Sequence, residues 1–321
     1  MWKRSCWANK AVCLILAALL SLAAGCAKVP EEEPSGAAAE TEVTFTDALG
    51  REVRVPKNPA RVASLVGSYA EVWVLAGGTL CAAAADAWED FGLELGDAAN
   101  LGTIKSPSFE TLLAADPDFV IASASTAADV DLLDAMENAG LTVAYFDVDS
   151  FDDYLGMLGI CTDITGRKDL YEQNGLAVQA RIEAAREALP AFPDGQETVL
   201  LLRISSGSVR AKGSEGTVLG EMLAACGCVN IADRDGTLLD NLSIESILER
   251  DPYRIFVVQM GGRDDAVQAY FSAFVEENPA WQSLAAVSEG RVYFMDRRLF
   301  HLKPNARWGE AYETLCGILG E

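Results

Sequence analysis

A ten-residue pattern that occurs twice constrains this fold more than any other feature of the chain. Ser108-Phe-Glu-Thr-Leu-Leu-Ala-Ala-Asp-Pro117 and Ser243-Ile-Glu-Ser-Ile-Leu-Glu-Arg-Asp-Pro252 match at six of ten positions, counting Leu112 with Ile247. The pattern has a local physical meaning. Serine caps a helix, Glu110 or Glu245 sits in its positive first turn, and proline ends it. Each copy then runs into an apolar stretch of strand type, Phe119–Ala122 or Ile255–Gln259. A second echo lies upstream, where Glu71 precedes Gly77 by six residues and Glu221 precedes Gly227 by six. Duplicated or parallel architecture follows.

The remaining apolar runs fit that reading. A hairpin is expected over Glu42–Thr46 and Glu52–Val55, turning at Leu49-Gly50. Arg61–Leu65 leads into a helical pattern at Tyr69–Ala76, and Phe119–Ala122 into one at Ala127–Ala139, with Thr142–Phe146 following. Strands that alternate with helices imply a mostly parallel sheet covered on both faces. From Phe151 to Leu189 there is no proline, and apolar residues recur at helical spacing with a break near Thr165-Gly166. Pro190, Pro193 and Gly195 stop that run. Alternation resumes at Thr198–Leu202, continues through helices from Thr217, Ser243 and Ala266 and a strand at Arg291–Phe294, and ends in a helix over Ala306–Leu319. The expected order is lobe, long helix, lobe: residues 42–150, 151–192 and 193–321.

The first 41 residues read differently. Lys3, Arg4 and Lys10 precede an apolar run, Ala11–Ala24, which is too short for a spanning helix of ~20 residues and has secretory-signal proportions. It ends in Leu22-Ala-Ala-Gly-Cys26, which resembles the bacterial lipobox, so residues 1–25 are expected to be removed and Cys26 to carry lipid. Residues 26–41, rich in Pro, Glu and Ala, cannot bury enough surface to offset their ordering entropy and read as a tether. Losing the three signal cations takes the formal charge from −23 to −26. So acidic a body argues against nucleic-acid binding, which needs phosphate-neutralising cations. Cys81, Cys161, Cys226, Cys228 and Cys316 remain after export. Cys226-Gly-Cys228 has no second Cys/His pair to complete a four-ligand metal site, so these residues read as buried free thiols.

The hairpin T-F-T-D-A-L-G-R-E-V-R-V-P, the paired S-x-E segments, the long helix and the strand G-R-V-Y-F-M-D together resemble ABC-transporter substrate-binding proteins of the iron-siderophore, haem and cobalamin class. The resemblance runs from about Glu42 to the C-terminus. It implies an α/β fold of two Rossmann-like lobes joined by one helix, a ligand held between them, and a glutamate on each lobe that docks to the permease of an ATPase-driven importer. Glu71 and Glu221 fall at those places. It further implies a monomer anchored by lipid outside the cytoplasmic membrane, with no resident cofactor.

Ligands of open parallel sheets sit beyond the carboxyl ends of the strands. That rule selects Tyr69, Trp88 and Lys105 from the first lobe, and Arg203, Arg210, Arg263, Arg297, Arg298, His301 and Lys303 from the second. Arg297 to Lys303 is the densest cationic stretch after residue 26, and suits an anionic chelate held by arginine forks. A ferric siderophore is the expected cargo. Haem or cobalamin would lean on Trp88, Tyr69 and Phe300, with His301, Tyr69 or Met260 as candidate axial donors. With one histidine in the chain, a bare zinc or manganese site of several histidines cannot be assembled. An exported hydrolase is the rival class. The chain carries no G-x-S-x-G, H-E-x-x-H or P-loop, and any Ser-His-Asp triad would have to use His301.

Overall fold

The computed structural model describes residues 41–261 and 264–321. The expected signal segment and the expected lipid attachment at Cys26 lie outside the described residues, as does Arg263. Twelve strands are described. β1 (Glu42–Thr46) and β2 (Glu52–Pro56) form an antiparallel hairpin whose register pairs Glu42 with Pro56 and Thr46 with Glu52. Asp47 closes its turn by accepting from the backbone N–H groups of Leu49 and Arg51 and from the Arg51 guanidinium. Burial pushes the Asp47 carboxyl up, but the bonds from Arg51 outweigh it and hold the group below its ordinary value.

Two sheets follow. In the first, β3 (Val62–Ser64), β4 (Ala82–Ala83), β5 (Ala99–Asn100), β6 (Phe119–Ser123) and β7 (Val143–Phe146) lie in the order β5-β4-β3-β6-β7, all parallel. In the second, β8 (Thr198–Ser205), β10 (Val229–Asn230), β11 (Arg254–Gln259) and β12 (Val292–Met295) lie in the order β10-β8-β11-β12, also parallel. β9 (Ser208–Lys212) folds back antiparallel on β8.

The repeat explains why the two sheets correspond. Ser108 accepts from Thr111 N–H and Ser243 from Ser246 N–H, so each serine caps its helix. Asp116 and Asp251 then adopt φ of 47° and 38°, a left-handed conformation that aspartate tolerates better than most residues. Each aspartate-proline pair feeds the strand beside the first of its sheet, β6 next to β3 and β11 next to β8. The upstream echo is structural too. Helices Gly67–Leu75 and Val218–Ala225 both end in a residue near φ −80°, followed by Gly77 or Gly227 at φ +85° and +84°. Only glycine takes that conformation without cost.

Between the sheets runs the linking segment. Ser150 and Asp153 make a reciprocal capping box at the start of helix Phe151–Thr165. Gly166 ends it at φ +70°, and a second helical run from Lys168 to Ala188 follows, with one π-helical stretch at Glu172–Leu176. One apolar core contains Phe119 and Ile121 from the first sheet, Leu158 and Ile182 from the linker, Leu201 and Phe256 from the second sheet, and Trp308 and Leu315 from the C-terminal helix Trp308–Leu319. The outer faces of the sheets have cores of their own, around Val120 and Tyr145 on one side and Leu200 and Trp281 on the other. The result is the expected bilobal α/β fold. Among the described residues, no helix is long and apolar enough to cross a membrane.

Candidate functional site

The carboxyl ends of the strands carry the chemistry. On the first sheet, the chain leaving β3 enters the helix at Gly67, whose N–H is accepted by Asp86 Oδ2 at 2.9 Å. A Cβ on Gly67 would come within 2.5 Å of the Ala87 nitrogen, so glycine is required there. Ser123 N–H, at the end of β6, donates to Asp129 Oδ2 at 2.9 Å. Asp86 and Asp129 each keep a buried, unpartnered Oδ1. Burial raises their carboxyls to about 6 and about 7, and the two repel each other.

On the second sheet, the segment after β12 turns into helix Arg297–Phe300, capped by Asp296 through Leu299 N–H. Its basic residues reach across to the first lobe. Arg297 forks onto both oxygens of Asp90 at 2.6 and 3.1 Å. Arg298 donates to both oxygens of Glu71 at 2.7 and 2.6 Å and to Lys303 O, and its guanidinium lies 4.3 Å from the centre of the Phe91 ring. Lys303 Nζ meets Asp149 at 2.5 Å. Asn305 Nδ2 adds bonds to Ser68 O and to Glu71 Oε2. Every cation of this stretch therefore has a carboxylate from the other lobe.

A second group of cations has none. Arg203, near the end of β8, lies directly opposite Arg210 of β9, and Lys212 stands two residues further along β9. Cross-strand like charges repel. No ion pair to Arg203, Arg210 or Lys212 occurs among the described residues. Burial lowers the Arg203 guanidinium from its ordinary value. The Lys212 ammonium is lowered by burial first, then by Arg203 and Arg210. His301 shares a cavity with Arg203, Lys212, Thr217, Val258 and Phe300. Burial, with Arg203, Arg297 and Lys303 adding to it, pushes the imidazole down to about 4, so it is neutral at physiological pH. The cavity measures only about 10 Å³, at most one water, so a chelate cannot enter without movement.

The other expected site residues are scattered. Tyr69 is buried, and its hydroxyl donates to Phe146 O at 3.3 Å, so it belongs to the core. Trp88 is half-buried beside an alanine-rich cluster of Ala70, Ala83 and Ala87. Lys105 is exposed on its loop, and Met260 is 48% exposed. The paired glutamates differ: Glu71 is taken up by Arg298 and Asn305, whereas among the described residues Glu221 accepts only from Gly216 N–H, at 3.3 Å. Lys212, Asp90, Asp149 and Asn305 were not singled out in the sequence. An Arg-x-Lys alternation after Ser-Ser-Gly-Ser was the available signal for Lys212.

Two lobes facing each other across their strand ends, joined by a helical segment, define a cleft-type solute-binding fold. The sequence profile of the family described as periplasmic binding protein matches residues 62–299, and the chain belongs to that family. A Bacillus subtilis (strain 168) relative, the ABC transporter substrate-binding lipoprotein YvrC, is 24% identical over 288 residues, covering 88% of each chain. Among solved structures, Staphylococcus aureus SirA complexed with staphyloferrin B superposes with a TM-score of 0.63 at 18% identity, over 86% of this chain and 97% of that one. The periplasmic heme-binding protein RhuT from Roseiflexus sp. RS-1, in apo form, gives 0.66 at 21%, over 81% and 97%.

Proposed function

We propose that this chain is the extracytoplasmic substrate-binding lipoprotein of an ABC importer and that it captures an anionic iron chelate, a ferric siderophore, between its lobes. The observation that carries the reading is the uncompensated triad Arg203, Arg210 and Lys212. A body of formal charge −23 holds three cations against one another, two with their charged forms disfavoured by burial. Such an arrangement costs stability unless an anion completes it. Family membership and the likeness to SirA support the class of cargo.

Haem is the second reading, favoured by one observation. His301 is neutral and beside the cationic triad, which suits an axial ligand flanked by propionate-binding cations. Spectroscopic titration of the purified chain with ferric siderophores, hemin and cyanocobalamin tests these readings. Ferric-siderophore binding supports the first, a Soret shift lost in His301→Ala supports the second, and binding of none sinks both.

For the permease, Glu221 is the better placed of the two glutamates, since Glu71 is already engaged by Arg298 and Asn305. Glu221→Ala should impair uptake while leaving affinity in solution unchanged, as a rim charge acts on association and registration. Anchoring is proposed through Cys26. Mass spectrometry should find it lipidated at the mature N-terminus, and an unmodified Cys26 within an intact precursor would refute that.

A further inference from the structure

Five cysteines occur in the described residues, and three of them gather at one place. Cys226 follows the last residue of helix Val218–Ala225, and Cys316 lies in the C-terminal helix Trp308–Leu319. Their sulfur atoms are 3.8 Å apart although the residues are 90 positions apart in sequence. Cys228 is close by, since Cys316 influences its titration as it does that of Cys226. Cys161 is different in kind: it is fully buried and no thiol faces it.

Two grooves reach this thiol pair from outside. One, of about 540 Å³, is lined by Arg186, Leu189, Pro190, Phe192 and Cys226. The other, of about 440 Å³, is lined by Ala185, Leu189, Pro190, Glu313 and Cys316. The two thus meet at Leu189 and Pro190, and each exposes one of the two cysteines slightly, Cys226 by 9% and Cys316 by 8%. Arg186 sits over the same spot, donating to Ala225 O at 2.6 Å, and its charge favours thiolate on both residues against the opposing effect of burial.

We infer that Cys226 and Cys316 are a disulfide-forming pair that ties the C-terminal helix to the helix of the second repeat. The sulfurs need to close by roughly 1.8 Å to reach bonding distance, a shift within reach of side-chain rotation. The oxidant is a disulfide of low molecular weight or of a thiol oxidase. One thiolate attacks it and expels the first thiol, and the second thiolate then resolves the mixed disulfide and expels the other. Two electrons and two protons pass to the oxidant, and one sulfur–sulfur bond forms in the chain. The link closes a long loop, so it restricts the unfolded chain and raises stability. The two grooves at this pair share no lining residue with the cavity of Arg203 and His301, and the link does not depend on which ligand the cleft takes.

The test uses the full purified chain incubated with oxidised glutathione, then alkylated, digested with trypsin and analysed by mass spectrometry with and without reductant. The expected result is a reducible cross-link between the peptide holding Cys226 and Cys228 and the peptide holding Cys316. It should persist in Cys228→Ser, vanish in Cys226→Ser, and raise the midpoint of thermal unfolding of the native chain relative to its reduced form. Full alkylation of Cys226 and Cys316 without reductant would overturn the inference. So would a cross-link that survives Cys226→Ser and is lost in Cys228→Ser.

Discussion

Two cationic groups of the second lobe stand close together and behave oppositely. Arg297, Arg298 and Lys303 each face a carboxylate of the first lobe, while Arg203, Arg210 and Lys212 have no ion pair among the described residues; Arg203 and Lys212 share a cavity with His301, and Arg210 is exposed in a groove that also holds Asp240. The first group holds the lobes together. In the proposed function the second is the group that an incoming anion completes. Residue type alone does not separate a clamp from a binding site; what separates them is whether the opposite charge is already supplied by the chain.

The largest effect that can break this comparison is on stability. Arg298→Ala leaves Glu71 with only Asn305 for company in a site where both side chains are mostly shielded. Removing one partner of a buried pair costs about 3–5 kcal/mol, and the lower end is expected here because each side chain keeps some exposure. Denaturant melts should show it. A loss below about 1 kcal/mol would place the pair among ordinary surface bridges.

Asp86 and Asp129 are the mirror image of the unpaired cations, being carboxylates with no ion pair among the described residues. Asp129 is fully buried and its carboxyl is raised from 3.8 to about 7. A raised folded-state value favours the protonated form in the native chain. Its stabilising effect is therefore complete below about pH 4 and lost as pH rises to about 7. Asp129→Asn retains an acceptor for Ser123 N–H and removes the titration. It should flatten the decline of stability across that window. An unchanged pH profile would contradict the assignment. The smallest effect is expected at Arg297, whose pair with Asp90 is about one-third exposed on both sides. Arg297→Ala should cost about 1 kcal/mol, and the cost should shrink in high salt.

Much of the fold was legible because its signals are local. Serine caps, the left-handed Asp116 and Asp251, and Gly77 and Gly227 all act within a few residues of where they are written. Short strands were not legible: β4, β5 and β10 have two residues each, too few to show a period of two. The expected helix over Ala127–Ala139 is two helices, Ala127–Asp131 and Leu133–Asn138, and no breaker residue marks the junction. For the candidate site, sequence singled out Arg203 and Arg210 and not Lys212, since β9 was not foreseen. The partners of Arg297, Arg298 and Lys303 lie 207, 227 and 154 positions away, so no local pattern announces those pairs. Tyr69, expected beside the ligand, is buried in the core. A tyrosine in the first turn of a helix reads the same whether its ring enters the cleft or, as here, turns into the core beside Phe146.

The central claim is that Arg203 and Lys212 are kept uncompensated for an anion, and one paired measurement tests it most directly. Wild-type chain and the Arg203→Ala variant are titrated by calorimetry with the same ferric siderophore, and both are melted without ligand. Charge-assisted bonds contribute about 1.5–3 kcal/mol each, so affinity should fall roughly tenfold to a hundredfold. The unliganded melting midpoint should hold or rise, because the substitution removes a repelled, half-buried cation. Unchanged affinity together with a lowered midpoint would show that Arg203 supports the fold and that the ligand is held elsewhere.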